Sequence, residues 1–185
     1  THEDPHLYIM NAGGYGTGKT LTSRQEVYRH AFLTPGANIL IGANVTAQYE
    51  QTIKRDIEMD LPSLLIRKVS QQKSFMDLIN GARIMFRPFD DPDKLRSLTL
   101  SMFVIVEASE VNPEAFTQLK TRLRSENAFN SKADWRKGII ETNPGAGWIR
   151  SDVLLNAHAV YTHGSTLSNY PPSLSPDPNI SVHIT

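Results

Sequence analysis

The stretch NAGGYGTGKTLTSRQE, Asn11 to Glu26, places four glycines between Gly13 and Gly18 and follows them at once with Lys19 and Thr20. Glycine loses more backbone freedom on folding than any other residue, so a cluster of it marks backbone that must go where side chains would obstruct. The flanks say what the cluster joins. His6 to Asn11 (HLYIMN) is a short apolar run of the kind that forms a buried strand, and Lys19 to Phe32 (KTLTSRQEVYRHAF) has helical character. The order is strand, glycine loop, helix.

Gly13, Gly18, Lys19 and Thr20 satisfy G-x-x-x-x-G-K-[ST], the pattern of a loop that cradles phosphates. A triphosphate concentrates several negative charges in a few ångströms. Holding it takes backbone N–H groups converging on one point, and glycines let the backbone come close. A helix that starts at Lys19 aims the positive end of its dipole at the same point. Gly13, Gly14, Tyr15, Gly16, Thr17, Gly18, Lys19 and Thr20 are therefore the candidate ATP-binding residues. Lys19 would reach the β- and γ-phosphates, and the Thr20 hydroxyl would bind Mg²⁺.

Outward from the loop, Asn38 to Ala43 is a second short apolar run, and Thr46 to Met59 is a second helical segment that Pro62 terminates. Strand and helix alternate, which predicts an α/β fold with a mostly parallel central sheet and helices on both faces. The middle of the chain departs from this. SFMDLI and ARIMFR flank Asn80-Gly81, a hairpin signal that adds an antiparallel excursion. Leu100 to Glu110 (LSMFVIVEASE) is a continuous apolar run ending in acids, the pattern of a central strand. Pro113 to Arg124 predicts a helix with proline in its first turn. Gly138 to Gly147 (GIIETNPGAG) predicts another strand running into a turn, Trp148 to Asn156 a helix, and AVYTH a last strand. From Gly164 onward Pro, Ser and Asn dominate, which predicts an irregular tail.

An acid at the carboxyl end of a strand in an open sheet points into the ligand crevice. Glu107, where MFVIVEASEV leaves its apolar run, is thus the candidate to orient or deprotonate an attacking water, with Glu110 three residues on. Composition narrows the partners. Nineteen basic residues balance nineteen acidic ones, so no global field draws in nucleic acid, and any such contact is a local patch. Ile66 to Lys73 (IRKVSQQK) and Lys120 to Arg124 (KTRLR) are the two basic clusters, and for each a solvated face is favoured over a phosphate contact. The chain contains no cysteine, which excludes disulfides and thiolate metal sites. No apolar run approaches the roughly 18 residues of a membrane span.

GGYGTGKT, FRPFDDPDKLRSL, VIVEASEV and ETNPGAGW, in this order, resemble the ATPase half of the large terminase subunit of tailed bacteriophages, over roughly Tyr8 to Asn156. The resemblance implies a three-layer P-loop NTPase fold of the ASCE type over residues 1–163, with 164–185 as the start of a linker to an absent nuclease domain. It implies a motor that hydrolyses ATP with Mg²⁺ and drives double-stranded DNA into a procapsid. It implies a portal protein and a small terminase subunit as partners, a head-to-tail ring of copies, and residence in the cytoplasm of the infected bacterial host with no membrane. Gly13 to Thr20 match its Walker A motif. Glu107 matches its catalytic glutamate and, with Thr20, the metal site. Thr142, Asn143 and Pro144 match its coupling motif. Arg96 falls where relatives carry an arginine finger donated to a neighbour. Arg24 is a rival acting in cis, and Arg122 and Arg124 are weaker ones. The chain departs from the family at Val106, where the first of two adjacent acids is usual, so the division of labour between Glu107 and Glu110 stays open. A helicase-like translocase and a nucleotide-binding module with little turnover are the rival functions.

Overall fold

A computed structural model describes residues 4–124, 136–143, 147–162, 165–166 and 176–184. Among these residues ten strands form one sheet in the order β3-β4-β5-β2-β6-β7-β1-β10-β8-β9. They are β1 (Tyr8–Ala12), β2 (Asn38–Gly42), β3 (Ile66–Ser70), β4 (Phe75–Leu78), β5 (Arg83–Phe86), β6 (Met102–Ile105), β7 (Lys137–Thr142), β8 (Ala157–Thr162), β9 (Ser165–Thr166) and β10 (Asp177–Ile184). Neighbours run parallel from β5 through β2, β6, β7, β1 and β10 to β8, while β3, β4 and β9 are antiparallel additions at the edges. The helices are α1 (Lys19–Leu33), α2 (Thr46–Tyr49), α3 (Arg55–Asp60) and α4 (Pro113–Arg122), with π-helical turns at Glu50–Lys54 and Ile149–Leu154.

Helices cover both faces because the central strands are apolar on both. Val104 and Ile139 pack with Val27 and Ala31 of α1 and with Tyr49, Ile53 and Ile57 of the α2–α3 segment. Phe103, Ile105 and Ile140 pack on the other face with Ala115, Phe116 and Leu119 of α4 and with Ile149 and Val153. Each Val, Leu, Ile or Phe among them, fully buried, contributes about 1.5–3 kcal/mol by leaving water. The result is the three-layer α/β/α arrangement expected.

The Asn80-Gly81 hairpin is present, with Gly81 at φ 87°, a left-handed value that suits glycine. Sequence reading missed β3, which lies in the basic cluster IRKVSQQK. Its exposed Arg67 and Lys68 sit on an edge strand, where charge discourages pairing with another chain.

The irregular tail expected from residue 164 needs correction. Asp177–Ile184 forms β10, inserted between β1 and β8 within the parallel set. Composition over the whole tail concealed the short apolar repeat of Ile180 and Val182, both buried. Asp4 fastens this strand: its Oδ2 accepts from Ser181 Oγ at 2.6 Å and pairs with His183 Nε2 at 2.7 Å. Burial raises the Asp4 pKa, but bonds from His183, Ser181 and His6 outweigh it and hold the group below the usual carboxylate range.

His30, on α1, is buried beneath the amino-terminal ends of β2 and β6. Ser101 Oγ donates to the Asn38 carbonyl, so the His30 Nε2–H donates to Ser101 Oγ at 3.0 Å. Burial, with the charges of Lys137 and Arg29, lowers its pKa to about 4. The unfolded chain binds this proton from about pH 6.5 downward and the folded one does not, so stability is lost as pH falls from about 6.5 to 4. Between pH 7 and pH 5 the loss from this group is about 2 kcal/mol. Urea denaturation at the two pH values checks it: His30→Gln, which keeps a donor and cannot take the proton, should lack that share of the loss.

Candidate functional site

Parallel pairing brings the carboxyl ends of β1, β7 and β6 side by side, in that order. The glycine loop leaves β1, and the Gly13 N–H donates to the Thr142 carbonyl of β7 at 3.2 Å. Gly16 and Gly18 have φ of 75° and 84°. An added Cβ would meet nothing within 4 Å at either, so backbone conformation rather than crowding requires glycine there. Gly18 precedes the first turn of α1, whose free N–H groups and positive dipole end face the loop.

Lys19 folds back over the loop. Its Nζ donates to the carbonyls of Gly13 at 2.6 Å and Gly14 at 2.7 Å, and to Oδ1 of Asn143 at 3.1 Å. Asn143, just past β7, donates through Nδ2 to Glu107 Oε2 at 3.1 Å. A single amide thus joins the loop lysine to the strand-end acid. Thr17 Oγ1 closes the loop on the Gly14 carbonyl at 2.9 Å, while Tyr15 stands out in solvent at its tip.

Glu107 follows β6 with φ 50° and ψ 52°, a left-handed conformation that costs a non-glycine residue roughly 1–2 kcal/mol. Strain of this kind persists where the surroundings hold the residue for a purpose. The turn takes Glu107 off the strand direction and toward Asn143. Glu110 lies outside this network and accepts from Gln48 Nε2 at 2.6 Å. The reading of Leu100 to Glu110 as one strand therefore overshoots at its carboxyl end, where the apolar run continues through Val106 but the backbone turns.

Glu141, the penultimate residue of β7, was not singled out from the sequence. It is 3% exposed, and its Oε2 accepts from Thr20 Oγ1 at 3.0 Å. Its Oε1 is buried with no hydrogen-bond partner, and no ion pair reaches it among the described residues. Ser23 lies beside it, yet the Ser23 hydroxyl makes no well-formed bond either. Burial raises the Glu141 pKa, the nearby Ser23 hydroxyl and the Thr20 hydrogen bond oppose this, the Glu107 charge adds to it, and the Lys19 charge lowers it. The one signal available in sequence was an acid inside the apolar run GIIET, an expensive place for a charge.

The remaining candidates lie elsewhere. Arg24 is held by carboxylates of α3, through its Nη1 to Asp56 and its Nε to Asp60 at 3.1 Å. Arg96 pairs with Asp93 at 2.8 Å, and its carbonyl accepts from Arg122 Nη1 at 2.6 Å beside the last turn of α4. Leu100 bonds to the Arg122 carbonyl just before β6 begins, so Arg96 sits toward the end of the sheet away from the loop. Arg124 Nε donates to the Thr121 carbonyl at 2.9 Å. Thr142 is buried at the end of β7, and Pro144 lies outside the described residues. Beyond the coupling segment, Trp148 Nε1 donates to the Val111 carbonyl at 2.8 Å, tying the chain after β7 to the chain after β6.

A sequence profile of the phage terminase large subunit matches residues 5–168. The chain belongs to this family. It is 30% identical over 134 residues to the PBSX phage terminase large subunit of Bacillus subtilis strain 168, an overlap of 65% of this chain and 31% of that protein. The chain thus spans about a third of the length of that relative. Among solved structures it resembles the large terminase of a thermophilic bacteriophage, with a TM-score of 0.70 at 14% identity over 96% of this chain and 40% of that one. The same terminase in complex with ADP also gives 0.70, at 15% identity over 96% and 39% of the two chains. The large terminase ATPase domain of Thermus phage P74-26 gives 0.65 at 18% identity over 99% and 77%. These likenesses show that the chain has the fold of large-terminase ATPase domains.

The strained turn at Glu107 makes a prediction. At an ordinary position alanine is more stable than glycine, but at Glu107 the left-handed backbone should invert the order. Glu107→Gly should exceed Glu107→Ala in stability by about 1 kcal/mol in urea denaturation.

Proposed function

We propose that this domain is the ATP-hydrolysing motor of a DNA-packaging terminase. The observation that carries the reading is the chain of contacts from Lys19 through Asn143 to Glu107, spanning the ends of β1, β7 and β6. A phosphate loop alone holds a nucleotide. Only a loop wired to an acid across the sheet can both hold it and act on water beside it.

ATP enters with its phosphates against the N–H groups of Gly14 to Thr20. Lys19 exchanges the Gly13 and Gly14 carbonyls for β- and γ-phosphate oxygens, a stronger charge-assisted pairing. The residues around Thr20 fit Mg²⁺: a hydroxyl and a buried carboxylate with an orphaned oxygen are hard oxygen donors. Bound there with Thr20 and a strand-end carboxylate, Mg²⁺ would neutralise charge on the phosphates. Glu107 accepts a proton from water as the water oxygen forms its bond to the γ-phosphorus. The bond from that phosphorus to the bridging oxygen breaks, and ADP leaves with those electrons. Asn143 senses the exchange, because the same amide that bonded Lys19 also holds Glu107. Thr142, Asn143 and Pro144 lead into the Trp148 segment, and its bond to Val111 offers a path by which phosphate loss moves both strand-end loops.

Arg24 is engaged with Asp56 and Asp60, and Arg96 is remote from its own loop. An arginine at the transition state therefore comes from a neighbouring copy, with Arg96 as the donor, which implies a head-to-tail ring. Double-stranded DNA, a portal protein and a small terminase subunit are the partners of this reading, in the host cytoplasm. The helicase-like translocase shares the chemistry and differs in what stimulates it, a forked duplex rather than procapsid and portal.

Phosphate release tests the proposal. Glu107→Gln should slow hydrolysis about 10²–10⁴-fold with nucleotide still bound. Lys19→Ala should weaken nucleotide binding itself. Equal rates in the wild type and Glu107→Gln would remove Glu107 from the mechanism, and negligible release by the wild type itself would leave a binding module with little turnover.

A further inference from the structure

The geometry points to Glu141 as the residue that supplies the metal-site carboxylate of the bound nucleotide, one strand over from the place where β6 carries Val106. The inference rests on the nucleotide-binding reading above and asks which acid serves it.

In P-loop enzymes the loop hydroxyl shares its Mg²⁺ with an acid from a neighbouring strand. Here β6 has no acid at that point. Val106 is 3% exposed and packs in the core on the α1 face of the sheet. The next residue, Glu107, is turned by its left-handed backbone toward Asn143. The register identifies the substitute. Val104 is opposite Ile139 and Ile105 opposite Ile140, so one more step sets Val106 beside Glu141. Adjacent strands are about 4.8 Å apart, a distance that a glutamate side chain covers. Glu141 is also opposite Asn11, two residues before the loop begins. The carboxylate has thus moved from β6 to β7, toward the phosphate loop.

Two further observations favour a ligand role over a purely structural one. Glu141 contacts the one loop hydroxyl that a metal needs, through Thr20 Oγ1. Its second oxygen is buried and unpartnered, and a carboxylate kept in that state loses hydration without compensation. A hydrated cation beside Thr20 supplies what is missing, since Oε1 can accept from a metal-bound water while Oε2 keeps the Thr20 hydroxyl. Glu107 is then left for the attacking water, and the two acids divide the work that two adjacent acids on β6 would do.

The test uses Mn²⁺ as the probe, with ATPγS, and reads bound Mn²⁺ by electron paramagnetic resonance. Glu141→Gln should weaken Mn²⁺ binding to the nucleotide-loaded protein by about 10- to 100-fold. ATPγS affinity in EDTA should stay at the wild-type value, and Glu107→Gln should retain Mn²⁺. Val106→Asp in the Glu141→Gln background should recover much of the loss by returning a carboxylate to β6. Should Glu141→Gln fail to fold, Glu141→Asp carries the test, with the same direction and a smaller loss. Wild-type Mn²⁺ affinity in the folded Glu141 variant, with ATPγS still bound, overturns the assignment while sparing the nucleotide-binding reading. A wild-type protein that binds no ATPγS overturns both.

Discussion

Backbone hydrogen bonding between β1, β7 and β6 is the constraint on which the site depends. Each pair is parallel and in continuous register, so Ala12, Thr142 and, two residues past β6, Glu107 come near one level with about 4.8 Å between neighbouring strands. At that level the chain places a glycine loop, an amide and an acid. Lys19, Asn143 and Glu107 lie far apart in sequence, yet each needs only its own strand to end on time. A slip of one residue in β7 would send Glu141 to the opposite face and Ile140 toward Thr20. The buried Ile139 and Ile140, on opposite faces of the same strand, make such a slip costly.

Stability is given up around this level. Glu107 holds a strained backbone, and Glu141 holds a carboxylate with an unpartnered oxygen in the interior. Either defect alone would be poor design in a protein that only had to fold. Together they lie at the place proposed above for a nucleotide and its cation, and the cation would give the Glu141 oxygen the partner it lacks. Lys19 meanwhile occupies itself with loop carbonyls and Asn143, contacts that phosphate oxygens can replace.

Much of this was legible in the sequence because each signal was local. The glycine loop, the helix from Lys19, the Asn80-Gly81 hairpin and the apolar run into Glu107 all depend on neighbours within a few residues. What escaped depends on register. Glu141 looks like one acid in GIIET until β7 is set between β1 and β6. Strand β10 looks like tail composition until Ile180 and Val182 are set against β1. The rival arginines could not be sorted by spacing either, because Arg24 is occupied by α3, more than thirty residues away in sequence.

A crystal structure with Mg²⁺ and a non-hydrolysable ATP analogue tests the central arrangement most directly. It should show the terminal phosphates against the Gly14–Thr20 amides, with Lys19 moved from the Gly13 and Gly14 carbonyls onto phosphate oxygens and Glu107 across from the γ-phosphate. A nucleotide bound elsewhere, or Lys19 still seated on those carbonyls with the phosphates in place, would contradict it.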